Sequence, residues 1–373
     1  MAKISSNSKV RGPSPVLRKR LARCRRQMKK NRIAAFLVSN PMDYFYLTGF
    51  TGEDSALLLR PNEVHLLSDG RFDEAINREC PWVTRWMRKG MLNAEITKAC
   101  KELNIKSLAV QPEHLSLADH NEIKKLCKGV RITSAPSILT EMRCGKDDAE
   151  LTATRRAIRI AEEAFLAVRN TICVGQTELE MAGRIEYEMK RRGASGPSFA
   201  TICAEGPNAA LPHAHPGTRK VKQGSAILFD WGARCGMYCS DLTRMVFVGS
   251  IPPKIREIYE VVLEAQLQAI KAVQLGRRMC DVDAVARDYV KQAGFGEEFN
   301  HGLGHGLGLD IHEAPSLSWR SDAKLKAGML VTVEPGIYLP GVGGVRIEDD
   351  ILVTATGRTV LSRLSKKIEE SVI

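Results

Sequence analysis

At 373 residues the chain has room for two or three domains and a sizeable core, far more than a fold held by staples needs. Its ten cysteines include no C-x-x-C pair, and no apolar run approaches the roughly 20 residues of a bilayer span. A disulfide scaffold, a thiolate zinc module and a helical membrane protein are therefore set aside. Lys and Arg number 55 against 43 Asp and Glu, but residues 1–32 hold twelve of the bases and no acid, so the remainder is formally neutral.

In chain order, residues 1–14 read as a disordered basic leader. Leu17, Leu21, Cys24 and Met28 recur at helical spacing and predict a helix over 15–30 that lays one face on the first strand. Bases cover its other faces. The plain reading is a solvated helix, with a nucleic-acid contact or an organelle transit peptide as lesser alternatives. No apolar h-region marks a secretory signal, so a cytoplasmic setting with reduced thiols is expected. The runs IAAFLVSN, SALLLR and EVHLLSDG alternate with helical stretches, as in an α/β domain over 1–143.

The pattern changes near Cys144. Asp147 reads as an N-cap with Glu150 completing a capping box, and opens a long helix over 147–172. A second long helix is expected over 253–274. The stretch VGQTELEMAGRIEYEMKRRGA then resembles LGRRMCDVDAVARDYVKQAGF at an offset of 101 residues. Two helix–helix–sheet units related by a pseudo-twofold axis would place a site between their sheets.

Five residues stand out in the strand-rich parts: Asp230, Asp241, His305, Glu334 and Glu348. Four hard carboxylates and one imidazole suit two divalent cations of the manganese, cobalt or zinc kind, with acids shared between them. The run SAILFDWGARCGMYCSDLTRMVFVG reads as two strands folded back through a turn at Gly232 and Gly236. Asp230 closes the first strand and Asp241 lies on the second. GMLVTVEPGIYLPGVGGVRIEDDILVT reads as a second hairpin carrying Glu334 and Glu348. His305 sits in HGLGHGLGLDIHE, where glycines allow close backbone approach. Taken singly, each has a blander reading. Glu334 could be a strand-end turn at Pro335-Gly336, Glu348 a member of a solvated cluster with Asp349 and Asp350, and His305 a histidine satisfied in a glycine loop. Acids inside apolar strands are costly unless paired or metal-bound, which favours the joint reading.

With NAALPHAHPG, ILFDWG, SDLTRMVFVG, HGLGHGLGLDIHE, VTVEPGIY and GGVRIEDD, the C-terminal half resembles the pita-bread metallopeptidases of the aminopeptidase P and Xaa-Pro dipeptidase (prolidase) branch. NPMDYFYLTGFTGEDSALLL and LLSDGRF resemble the smaller N-terminal domain of the creatinase group. The resemblance implies an α+β fold of two domains, a creatinase-like 1–143 and a duplicated pita-bread domain at 144–373. It implies a dinuclear exopeptidase that hydrolyses Xaa-Pro bonds in proline-containing peptides through a metal-bridging hydroxide, with manganese as the first expectation and a homodimer as its form. In that scheme Asp230 chelates one ion, His305 and Glu334 hold the other, and Asp241 and Glu348 bridge. Glu334 also accepts a proton. His213 stabilises the tetrahedral intermediate, His312 bonds the scissile peptide or moves a proton, and His301 and Arg346 orient substrate or ligands. His215 reads as a surface loop residue. The competing readings are creatinase-like C–N hydrolysis and a non-catalytic pita-bread binding module.

Overall fold

The computed structural model describes residues 12–373, which divide into two compact units between Met142 and Arg143. The basic leader expected at 1–14 lies outside the described residues as far as residue 11.

The first unit opens with α1 (Pro15–Lys30), whose Ser14 side chain accepts from the Leu17 N–H. Leu21, Cys24 and Met28 are its buried stripe. The main neighbour of α1 is α2 (Pro41–Thr48) rather than the first strand: Arg20 donates to the Tyr46 carbonyl at 3.1 Å and lies over the Tyr46 ring at 4.3 Å. A six-stranded mixed sheet follows the three predicted β runs, with β1 (Phe36–Val38), β2 (Ala56–Leu59), β3 (Val64–Asp69), β4 (Thr84–Arg88), β5 (Ser107–Val110) and β6 (Arg131–Ser134). Its order is β4-β3-β2-β1-β5-β6, antiparallel at β1–β2 and β2–β3 and parallel elsewhere. The intervening helices are α3 (Asp73–Glu79), α4 (Leu92–Glu102), α5 (Leu117–Leu126) and α6 (Ile138–Cys144). Leu37, Leu58, Ile96 and Leu108 share the core between sheet and helices.

In the second unit the capping box forms as expected. Asp147 accepts from Ala149 and Glu150, and Glu150 returns a bond to the Asp147 N–H, opening α7 (Asp148–Arg169). The unit continues through α8 (Glu178–Arg191) to β7 (Gly196–Pro197), β8 (Ile202–Glu205), β9 (Ala226–Trp231), β10 (Ala233–Cys235), β11 (Tyr238–Cys239) and β12 (Leu242–Phe247). Helices α9 (Pro253–Ala272) and α10 (Met279–Gln292) then repeat the pair. They lead to β13 (Gly304–Gly306), β14 (Glu313–Leu317), β15 (Leu330–Val333), β16 (Gly336–Leu339), β17 (Gly343–Arg346), β18 (Asp349–Thr354) and β19 (Gly357–Val360).

The internal repeat holds in three dimensions. Helices α8 and α10 begin at 178 and 279 and end at 191 and 292, an offset of 101 at both ends. The glycines flanking them, Gly175 and Gly193 in one copy and Gly276 and Gly294 in the other, all take positive φ. The α7–α8 pair packs on one face of the β12-β9-β8 sheet, where Phe165 stacks on Trp231 at 4.4 Å and the Trp231 indole donates to the Ala161 carbonyl. The α9–α10 pair packs on the β14-β13-β15-β18-β19 sheet through residues such as Ile258, Val262, Val331 and Ile351. An antiparallel bridge between Thr243 and Glu348 joins the two halves. Pita-bread duplication behind a creatinase-like first domain is thus the architecture, as the sequence implies.

Candidate metal centre

Strand periodicity aims the first two acids. On β9, Ile227, Phe229 and Trp231 bury themselves under α7 and α8, so Asp230 projects from the opposite face with Ala226 and Leu228. β12 pairs antiparallel with β9, setting Thr243 opposite Asp230. Asp241 stands one residue ahead of β12 rather than on it, on the same side as Thr243. The turn between the aspartates also differs from expectation. It is made by Gly236 and Met237, both at positive φ, within a small separate β10–β11 hairpin. Gly232 is pressed against the Ser240 carbonyl instead.

The second half supplies the other three groups. β15 and β18 pair with Val333 opposite Asp349, so Glu334 and Glu348, which directly follow and precede those residues, leave the ladder side by side. The predicted glycine turn is present as the β16–β17 hairpin. Thr332 ties the cluster together. Its hydroxyl accepts from the His305 N–H at 3.0 Å and donates to Glu334 Oε1 at 2.9 Å. Thr243 does likewise across the two halves, donating to Glu348 Oε2 at 2.7 Å. Gly304 lies so close to β15 that a Cβ there would fall 2.1 Å from the Thr332 carbonyl oxygen, hence glycine beside His305.

These constraints bring the five residues to one place. His305 Nδ1 donates to the Gly306 carbonyl at 3.1 Å, and its Nε2 faces Glu334 Oε1 at 3.3 Å and Asp241 Oδ2 at 3.5 Å, carrying a proton in the metal-free site that a cation would displace. One ligand atom from each of Asp241, His305 and Glu348 lies within 4.8 Å of the others. Asp230 Oδ1 and Glu348 Oε1 are buried without a hydrogen-bond partner.

The electrostatics carry a surplus of negative charge. Burial first, then the surrounding carboxylates, raise Asp241 and Glu348 well above the usual carboxylate range. Burial also raises Asp230, against the pull of Arg346. Glu334 goes the other way. Burial alone would raise it, but the His305 hydrogen bond and charge bring it down to about 2. Orphaned carboxylate oxygens, an imidazole nitrogen aimed among them and acids that cannot all ionise together form a donor set that fits hard divalent cations.

The accessory residues fall around the same cavity, of about 940 Å³, which His213, His301, His312 and Arg346 all line. Arg346 Nη2 donates to Asp230 Oδ2 at 2.5 Å and Nη1 to the Tyr338 hydroxyl at 2.7 Å. Because His301 Nδ1 donates to the Gly302 carbonyl at 2.8 Å, its Nε2 accepts from the Tyr338 hydroxyl at 3.0 Å. His312 packs edge-on against His305, ring centroids 4.4 Å apart, and burial followed by the His305 charge lowers it below the usual imidazole value.

One expectation needs correction and one an addition. His215 is an exposed loop residue, as read, and it also lines the cavity with His213. Asp349 and Asp350 do not form a solvated cluster with Glu348; all three are at most 1% exposed. Asp349 is neutralised by Arg244 and Lys366, and Asp350 Oδ2 accepts from the Asp241 N–H at 3.3 Å. Tyr338, Asp350, Trp319 and Arg320 are site residues that sequence reasoning passed over. Only Tyr338 left a trace, as the aromatic two residues past Gly336, whose Cβ would meet the Tyr338 hydroxyl.

Residues 152–355 match metallopeptidase family M24, and residues 20–144 match the creatinase/prolidase N-terminal domain. The chain belongs to metallopeptidase family M24. Among its M24 relatives, the Xaa-Pro dipeptidase of Pyrococcus horikoshii is 35% identical over 91% of this chain and 96% of that protein. The solved structure of an Xaa-Pro dipeptidase from Bacillus anthracis superposes with a TM-score of 0.91 at 34% identity, covering 96% of this chain and all of that one. An X-Pro aminopeptidase from Thermotoga maritima gives 0.87 at 35% identity, over 93% of this chain and all of that one. This M24 chain is therefore a peptidase of the prolidase and X-Pro aminopeptidase group, in a family that uses divalent metal ions. Among its described residues no helix is long and apolar enough to cross a membrane.

Proposed function

We propose that the chain is a metal-dependent exopeptidase that hydrolyses Xaa-Pro bonds, with Xaa-Pro dipeptides as its preferred substrates. The observation that carries this reading is the convergence of Asp241, His305 and Glu348, with Asp230 and Glu334 beside them, around buried carboxylate oxygens that have no other partner. Asp230 would hold one ion, His305 and Glu334 the other, and Asp241 and Glu348 would be shared. When bound, two such ions polarise the scissile carbonyl and acidify a water held at the site.

The protein's own groups supply the rest. Glu334, kept ionised, accepts the proton of the attacking water. His312, kept neutral, offers an N–H to the scissile amide, and the proton taken up by Glu334 passes on to the leaving proline nitrogen. His213 reaches the cavity from the opposite loop and donates to the developing oxyanion. The Arg346–Tyr338–His301 chain holds Asp230 and the cavity wall in one arrangement.

Arg320 favours dipeptides. Among the described residues it and Arg346 are the arginines lining the cavity, and Arg346 is engaged with Asp230 and Tyr338. Arg320 is thus the group offered to a substrate carboxylate, which in a dipeptide lies one residue past the scissile bond. Manganese as the ion and a homodimer, taken from the resemblance, complete the reading, with a cytoplasmic setting and a division of labour between residues 1–143 and 144–373 taken from the sequence pattern.

The test is to strip the protein of metal, restore manganese, and follow an Xaa-Pro dipeptide and an Xaa-Pro-Yaa tripeptide by mass spectrometry. Manganese-dependent cleavage of the dipeptide in preference to the tripeptide supports the proposal. Preference for the tripeptide would make it an aminopeptidase P. Cleavage of neither, with cobalt and zinc also tried, would turn the assignment to another C–N bond or to a binding module.

A further inference from the structure

We propose that Glu313, clamped by Arg143 and Lys146, is a positioning residue for His312; this rests on the catalytic reading of His312 given above. Among the described residues no hydrogen bond reaches the His312 ring, which is exposed at the cavity and touches His305 edge-on, so its direction rests on that contact and on the loop that carries it. That loop, between β13 and β14, is irregular and holds Gly308.

Glu313 closes it. Its carboxylate is 8% exposed and meets two cations that are more deeply buried still, Lys146 at 0% and Arg143 at 7%. Lys146 Nζ donates to Glu313 Oε1 at 2.5 Å, and Arg143 Nη2 donates to Glu313 Oε2 and to Asp310 Oδ2, the latter at 2.7 Å. Glu313 Oε2 also accepts from the Asp310 N–H at 3.4 Å. Lys146 itself is held by the Arg143 carbonyl at 2.5 Å. The two ends of the segment Asp310–Glu313 are thereby pinned to one pair of cations, and His312 is the residue next to the pin.

Backbone bonds add to the clamp: the Gly308 N–H donates to the Asp310 carbonyl at 3.0 Å, and Gly306 pairs with Glu313 in the β13–β14 ladder. Cys239 N–H donates to the Gly308 carbonyl at 2.8 Å and Arg234 Nη1 to the Leu309 carbonyl at 2.9 Å, both ahead of Asp310. The clamp also explains Gly308, where a Cβ would sit 2.5 Å from Glu313 Oε1 and 3.0 Å from Lys146 Cε. Burying two cations and a carboxylate is a poor way to add stability, since desolvation consumes most of the attraction. Its yield here is a fixed direction for the neighbouring imidazole.

The experiment is a double-mutant cycle on the manganese-loaded enzyme with Glu313→Gln and His312→Ala. A second readout is the His312 imidazole resonance in the metal-free protein. Glu313→Gln should lower kcat about 10- to 100-fold with KM and bound-metal content unchanged, and should move the His312 resonance. In the His312→Ala background it should have little further effect, because there is no imidazole left to aim. Multiplicative losses in the two backgrounds, or a loss that tracks folded fraction or metal content, would overturn the proposal and leave Glu313 a structural group. If His312→Ala alone leaves turnover intact, the catalytic reading of His312 fails instead, and the positioning role with it. Should the Glu313→Gln protein not fold, Lys146→Gln, which keeps the Arg143–Glu313 pair, goes through the same cycle with the same criteria.

Discussion

Arg346 and Asp230 form a buried ion pair across the centre of the second unit, with Nη2 and Oδ2 2.5 Å apart and the two side chains 3% and 12% exposed. It links β17 to β9, strands from the two halves of the duplicated fold. Removing the cation leaves the mostly buried Asp230 carboxylate without the guanidinium it pairs with. Arg346→Met should cost the metal-free protein about 3–5 kcal/mol, read from urea midpoints. A loss under about 1 kcal/mol, the worth of an exposed pair, would show that the site is more hydrated than its burial implies.

Gly304 is set against backbone, not against a side chain that could swing away. A methyl group there meets the Thr332 carbonyl oxygen at 2.1 Å, whereas at Gly302 the nearest atom is the Ser318 Cβ at 3.1 Å. Gly304→Ala should therefore push β13 from β15, displace His305 and lower manganese affinity, while Gly302→Ala is milder. Metal titration of the two variants side by side decides it; equal effects would contradict the close-approach argument.

Asp349 governs stability in acid. Burial would raise its carboxyl, but Arg244 at 2.7 Å and Lys366 at 2.5 Å more than offset this and hold it below the usual range. A carboxylate lowered on folding binds fewer protons in the native than in the unfolded chain. Its contribution is complete above its ordinary value, about pH 4, and disappears as pH falls through the lowered value. Asp349→Asn should thus be less stable than the parent at neutral pH, with the gap closing below about pH 4. A gap independent of pH, in unfolding curves taken at stepped pH values, would remove the ion pair as its source.

Glu334 is asked to do two things, hold an ion and take a proton. Glu334→Gln should lower turnover by about 100-fold or more, with far-ultraviolet circular dichroism unchanged and bound manganese reduced. Retained turnover in the metal-loaded variant would return the proton to another group.

Arg320 serves substrate rather than chemistry. Arg320→Ala should raise KM for an Xaa-Pro dipeptide about 10-fold, leave kcat near its starting value, and scarcely alter a tripeptide whose carboxylate lies farther out. An equal rise in KM for both would place the arginine outside carboxylate recognition.

Much of this molecule is written in local patterns. The capping box at Asp147 and Glu150, the helix stripe of Leu21, Cys24 and Met28, and the 101-residue repeat all depend on neighbours within a few positions, or on a periodicity that a single chain displays. Acids and a histidine embedded in apolar, glycine-spaced runs drew attention to Asp230, Asp241, His305, Glu334 and Glu348 for the same reason, since burial of such groups is costly wherever they end up. Their place on the elements was less legible. Of the two glycines expected at the aspartate turn, Gly236 makes it with Met237, whereas Gly232 marks a close approach, because both situations read as glycine.

The tertiary structure alone decided which charges are buried and what they meet. Asp349 and Asp350 read as solvated until Arg244, Lys366 and the Asp241 amide are seen around them, Arg244 and Asp241 contributed from more than 100 positions away. Glu313 meets Lys146 from 167 positions away, and Tyr338 gains its role from His301 and Arg346. A hydrogen bond or ion pair depends on distance in space, and nothing in the local sequence of either partner records it. The kinds of chemistry available are therefore written along the chain, whereas the direction of each group and the charge it can keep are set only when the two sheets meet.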